Sequence, residues 1–257
     1  MIPGLDRFRD RISGHFRGLE SSYPLIGGAA THLLLDEAGL AFRATKDLDI
    51  VLCVEALDDA FVAAFWSFVA LGGYERREAG TSPRRYYRFQ RPIDPAFPAM
   101  LELCSRRIDG VAVPEGVRVT AVPTGEDLSS LSAILLDDGI YAWLLRGRRT
   151  IAEVSIVGAP HLIALKMRAF LDLHDRRLAG EPVDARDMRK HRSDVLRLLQ
   201  VVTAEPLVDV PQAIRDDAVR FAAMAREDAP DVRNLGLVFG SLEAALTVLE
   251  VLFGLGS

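Results

Sequence analysis

Leu25-Ile26-Gly27-Gly28-Ala29-Ala30, followed by Thr45-Lys46-Asp47-Leu48-Asp49-Ile50, decides how this chain is read. A short apolar run stopped by a diglycine and resumed by helix-forming residues predicts strand, tight turn and helix in that order. In the second stretch two aspartates alternate with apolar residues, the pattern of a strand with one buried face. Residues two apart leave a strand on the same side, so Asp47 and Asp49 share one face and Leu48 and Ile50 the other. Gly27 and Gly28, lacking Cβ atoms, let backbone approach an anion, and a helix beginning at Ala29 would aim its free N–H groups there. Two carboxylates beside such a turn suit Mg2+ or Mn2+, which takes one or two carboxylates and draws its other ligands from water and phosphate. The combination points to a nucleoside triphosphate as substrate.

Outward from this pair, Phe8, Ile12, Phe16 and Leu19 predict an opening helix, and Ala29–Ala38 predicts the helix after the diglycine. Asp47–Val54 predicts a strand, Ala56–Leu71 a helix ended by Gly72-Gly73, and 84–90 and 99–104 two strands around a proline-marked connection. A strand pair is expected around Asp137-Asp138-Gly139 and Arg146-Gly147. Helices follow at His161–Leu178 behind Pro160, Ala185–Val202, Pro211–Arg226 and Leu237–Leu255. The expectation is an α/β (α+β) catalytic domain with a short mixed sheet over 1–125. A mainly helical C-terminal domain over 126–257 follows, preceded by the strand pair.

Two-metal nucleotidyl transfer needs a third acid. Glu102 is the candidate, a lone charge in Met100-Leu101-Glu102-Leu103-Cys104 that a neighbouring strand could bring beside the aspartates, to bridge a metal or accept the proton of an incoming hydroxyl. The plain alternative is a solvent-facing strand residue. Lys166, the lone cation after Leu162-Ile163-Ala164-Leu165, either reaches a triphosphate as a point charge or snorkels at the surface. Three basic clusters could contact RNA: Arg84-Arg85-Tyr86-Tyr87-Arg88, Arg146-Gly147-Arg148-Arg149 and Arg189-Lys190-His191-Arg192. Each could equally be a solvated face.

The 257 residues carry a net charge of -5, which excludes a surface basic all over, and 49% hydrophobic with 26% charged residues excludes general disorder. Cys53 and Cys104 sit in apolar runs and predict buried thiols rather than a disulfide framework or zinc site. No apolar run approaches membrane-spanning length and the N-terminal residues lack a signal-peptide core, so a cytoplasmic protein is expected.

Ile26-Gly27-Gly28-Ala29-Ala30, Arg43-Ala44-Thr45-Lys46-Asp47-Leu48-Asp49-Ile50, the run from Gly158 to Ala169 and Lys190-His191-Arg192-Ser193-Asp194-Val195 resemble the AbiEii-type proteins of the DNA polymerase β-like nucleotidyltransferase superfamily. The resemblance runs from about Tyr23 to Leu199. It implies a nucleotidyltransferase fold with a helical C-terminal part, magnesium, and transfer of a nucleotide from a triphosphate. It further implies relatives that act as toxins of toxin–antitoxin systems, some on the 3′ end of tRNA, so an RNA or protein acceptor and an antitoxin partner are expected. By position it makes Gly27 and Gly28 phosphate-binding glycines, with Thr45 beside them, Asp47 and Asp49 metal ligands, and Lys166 and Asp194 polar positions facing the cleft. The chain departs from the pattern in two places: Glu102 stands for the usual aspartate, and Arg189-Lys190-His191-Arg192-Ser193-Asp194 stands where Lys-Asp followed by another Asp is expected. A small-molecule (aminoglycoside-like) nucleotidyltransferase and a catalytically silent nucleotide-binding protein are the competing expectations.

Overall fold

Asp47–Val51 (β2) is a strand in the computed structural model, with Leu48, Ile50 and Val51 buried and both aspartates half-buried. The structure describes residues 5–43, 47–51, 59–74, 86–104, 138–230 and 235–255. Leu25–Ile26 (β1), Tyr86–Gln90 (β3), Met100–Cys104 (β4), Arg148–Ile151 (β5) and Val154–Val157 (β6) join β2 in a six-stranded sheet ordered β3-β4-β2-β1-β6-β5. The sheet is mixed: β2 runs parallel to β4, β1 parallel to β6, and the other neighbours are antiparallel. With eight helices among the described residues, the chain is mixed α/β of the α+β kind.

Two compact units divide the chain, one of Met1–Leu128 with Arg148–Val157, the other of Ser129–Gly147 with Gly158–Ser257. In the first, Leu5–His15 (α1), Gly27–Glu37 (α2) and Asp59–Gly72 (α3) accompany the sheet. Phe89, Leu101 and Leu48 lie in register on one sheet face, and α3 covers that face with Phe65 and Trp66, ring centroids 5.8 and 5.9 Å from Phe89. Phe16 closes the same core against Tyr23, Phe61 and Phe68 at 5.4 to 5.8 Å. Packing this dense leaves the opposite face to carry the polar residues of β2 and β4. Helix α1 ends at His15 rather than near Leu19, because the chain turns through Gly18 at φ +81, a left-handed conformation that suits glycine.

The second unit contains Asp138–Arg146 (α4), Ala159–Leu178 (α5), Ala185–Leu198 (α6) with a 3₁₀ turn at Leu199–Val201, Gln212–Glu227 (α7) and Leu242–Phe253 (α8). Helix α5 packs on α6 and α7, and α7 on α8, around Leu162, Ile163, Leu165, Val195, Ile214, Phe221 and Leu249. Asp184 caps α6 by accepting from Arg186 N at 2.7 Å, and Ser241 caps α8 by accepting from Ala244 N at 3.1 Å. That serine cap fixes the start of α8 at Leu242, later than the expected Leu237.

One expectation is corrected. The segment expected to pair as strands around Asp138 and Arg146 is helix α4, because Ile140, Tyr141, Trp143 and Leu144 bury one helical face. The strand pair is β5–β6, displaced to 148–157 and belonging to the first unit. Its turn, Ala152-Glu153, holds both residues at positive φ (48 and 61), the geometry of a two-residue primed turn normally marked by Asn or Gly. Arg17 pairs with Glu153 at 2.9 Å. No helix of the described residues is long and apolar enough to cross a membrane.

Candidate active site

The register of three strands gathers the acids. Asp49 lies directly opposite Glu102 on the parallel strand β4, and Asp47 opposite Met100. Directly opposed residues of neighbouring strands share a face and sit about 4.8 Å apart in backbone. Asp47, Asp49 and Glu102 therefore occupy one face of the central sheet, all three half-buried, opposite the apolar row of Leu48, Ile50 and Leu101. Among the described residues no three His, Cys, Asp or Glu side chains are close enough together to form a metal cage by themselves. The donor set is oxygen-only and partly exposed, which fits a hard cation that completes its shell with water and phosphate.

Gly27 closes one side of this face. Its φ is +65, and a Cβ built there would overlap the Asp49 carboxylate. Glycine at position 27 is thus required twice, by the backbone and by the aspartate packed against it. The sequence expectation for this glycine is close approach of a phosphate; in the structure the space a Cβ would take is filled by the Asp49 carboxylate. Helix α2 starts at Gly27, two residues before the expected Ala29; Ile26 supplies no capping side chain, and the first turn holds no acid. Thr31 Oγ1 donates to Gly27 O at 2.7 Å and fixes that turn. Thr45, Cys53, Arg84 and Arg85 lie outside the described residues.

Lys166 and Asp194 belong to the second unit. Lys166 on α5 is 2% exposed and Asp194 on α6 is 0% exposed; Nζ donates to Oδ2 at 3.0 Å. Arg197 Nη1 stands 3.9 Å from the other oxygen of Asp194. The lysine does not snorkel to the surface. It crosses the α5–α6 interface to a buried carboxylate, an arrangement that is costly to form and costlier to break on one side.

Two titratable groups, Asp217 buried and His161 half-buried, are not singled out as sites by the sequence. Asp217 on α7 is buried 3.0 Å from Arg168 Nε, and burial pushes its carboxyl up to about 6 against the opposing pull of Arg168 and Arg220. The helical spacing of Ile214, Ala218 and Phe221 places Asp217 on the buried side, a signal present in the sequence. His161, expected to be structural, stacks on Trp143 with centroids 4.2 Å apart, and a Cβ at Gly147 would overlap its ring. Burial, aided by the Arg146 charge, lowers its pKa to about 4. The unfolded chain takes up this proton near pH 6.5 and the folded chain only near 4. The stabilisation is therefore complete above about pH 6.5 and is lost as pH falls toward 4, about 3 kcal/mol in all. Urea titrations of the wild type from pH 7.5 to 4 should show that decline, and His161→Gln should flatten it; an equal decline in both would refute the assignment.

The basic clusters separate once their partners are known. Arg146 pairs with Asp209 at 3.3 Å, Arg148 donates to Ser21 O at 2.6 Å, and Arg149 pairs with Glu37 at 2.9 Å. Arg192 is buried against Asp228 at 2.6 Å. Arg189 and Lys190 are exposed. Compared with protein-family models and with curated proteins, the chain matches none.

Proposed function

We propose that the chain is a metal-dependent nucleotidyltransferase of the polymerase β-like kind, moving a nucleoside monophosphate from a triphosphate to an acceptor hydroxyl on RNA or protein. The observation that carries this reading is the in-register pairing of Asp49 with Glu102, with Asp47 on the same face and Gly27 against Asp49. Asp47 and Asp49 would hold Mg2+ or Mn2+, with Glu102 as the third acid; the bound metal neutralises phosphate charge and lowers the pKa of the attacking hydroxyl. The chain's own part is positional. Gly28 and the first N–H groups of α2 seat phosphate oxygens, Thr31 holds the turn, and Glu102 takes the acceptor proton as the acceptor oxygen bonds to the α-phosphorus and pyrophosphate departs. The toxin role and the antitoxin partner rest on the sequence resemblance alone.

Nucleotide binding without turnover is the second reading. It is favoured by the burial of Lys166 against Asp194, which engages the lysine otherwise expected at the triphosphate. The test supplies each α-labelled nucleoside triphosphate with Mg2+ and follows label into total RNA, total protein and a small-molecule pool that includes aminoglycosides. Label should enter the RNA or protein pool and fall at least a hundredfold in Asp47→Ala/Asp49→Ala, a loss of the size expected when transition-state stabilisers are removed. Triphosphate binding with no label in any pool would support the silent reading.

A further inference from the structure

Helix α6 turns about 100° per residue, so Arg186, Arg189, Lys190, Ser193 and Arg197 fall within one arc about 100° wide. That arc lies opposite the buried side formed by Met188, Arg192, Val195 and Leu196. Arg186, Arg189 and Lys190 are exposed, and Ser193 and Arg197 partly so. The acid nearest in sequence, Asp187, sits on the flank of the arc rather than in it.

Among the described residues these cations contrast with six surface arginines that are paired, while exposed Arg177 shares their lack of an ion pair. Arg17, Arg146, Arg149, Arg176, Arg220 and Arg226 each pair with a carboxylate. The side chains of Arg186, Arg189 and Lys190 form no ion pair or hydrogen bond among the described residues. Unpaired, like-charged neighbours one helical turn apart repel one another, at some cost to an isolated helix. In a chain of net charge -5 this is a local concentration of uncompensated positive charge.

We infer that this face of α6 is a docking surface for the phosphodiester backbone of a nucleic acid. The three unpaired cations span about 6 Å of helix, and Ser193 with Arg197, whose guanidinium also stands 3.9 Å from Asp194, carries the same face to about 16 Å. An acidic protein fits less well, because a protein interface needs an apolar centre, and none of the exposed large apolar residues lies on α6. Binding to phosphates by counterion release needs none. Its residues are not those of the acid face of the sheet, and its role does not rest on the transferase reading.

The test is fluorescence anisotropy of a labelled, mixed-sequence single-stranded RNA of about 20 nucleotides with the full chain, in EDTA and without triphosphate, across a salt series. Turnover plays no part in this readout, so its failure is distinguishable from failure of the transferase reading. Arg186→Gln/Arg189→Gln/Lys190→Gln should weaken binding at least about tenfold near 0.1 M salt and lower the slope of log K against log salt by about 2. Arg17→Gln/Arg149→Gln/Arg226→Gln removes the same charge from paired positions and should leave binding within about twofold. Far-UV circular dichroism and a thermal melt check that both triples remain folded. No RNA binding by the wild type, equal weakening in the two triples, or retained binding in the folded α6 triple would overturn the inference. So would tighter binding of labelled polyglutamate than of RNA, lost in the α6 triple, which would assign the face to an acidic polypeptide.

Discussion

Gly27→Ala is expected to abolish transfer, by at least about a hundredfold, while costing the fold only about 1–3 kcal/mol. Two separate terms produce this result. A Cβ at φ +65 adds about 1–2 kcal/mol of backbone strain. The same Cβ overlaps the Asp49 carboxylate, which must swing away from its position opposite Glu102. Aspartate has a short side chain, so rotation relieves the overlap cheaply in stability and destroys the arrangement of the acids. A urea titration and a transfer assay on one preparation separate the two effects. In Gly27→Ala/Asp49→Ala the steric part should disappear, leaving a stability loss close to the backbone term; additivity of the two single changes would show that Gly27 and Asp49 do not interact.

The second large effect concerns stability in the helical unit. Asp194→Ala alone should destabilise by about 3–5 kcal/mol, because it removes the carboxylate that faces Lys166 in an interface where the lysine is 2% exposed. Lys166→Met alone should cost less, since Arg197 stands 3.9 Å from the second carboxylate oxygen of Asp194 and can partly take over. Lys166→Met/Asp194→Ala removes both charges and should recover most of the loss, to within about 1–2 kcal/mol of wild type, the remainder reflecting the cavity left by the carboxylate. Transfer activity of that refolded double variant should stay within about tenfold of wild type if the pair serves to join α5 to α6. Recovery of stability with transfer lost would instead place Lys166 at the triphosphate.

The sequence carried the sheet's polar face because strand periodicity is strict. Asp47 and Asp49 could only share a side, and Glu102, bracketed by Leu101 and Leu103, could only alternate with apolar neighbours. Register between strands is set by long-range pairing, so that Asp49 falls opposite Glu102 rather than Asp47 became visible only in three dimensions. The β5–β6 hairpin was misplaced because Ala152-Glu153 adopts left-handed geometry without glycine or asparagine to announce it. The burial of Lys166 was written in the helix period, with Ile163 three residues before it and Phe170 four after, but a charge on a buried stripe also fits snorkelling. Its partner on α6 decided between them. The reason for Gly27 was the least legible of all, because its open side is filled by a side chain from another strand.

The most direct measurement is a parallel assay with α-labelled and γ-labelled triphosphate and Mg2+, comparing the wild type with the near-isosteric Asp49→Asn. Nucleotidyl transfer predicts α-label on the acceptor, γ-label released as pyrophosphate, and both signals reduced at least a hundredfold by Asp49→Asn. Transfer of γ-label to the acceptor, or α-label transfer unaffected by Asp49→Asn, would contradict a nucleotidyl-transfer site built on Asp47, Asp49 and Glu102.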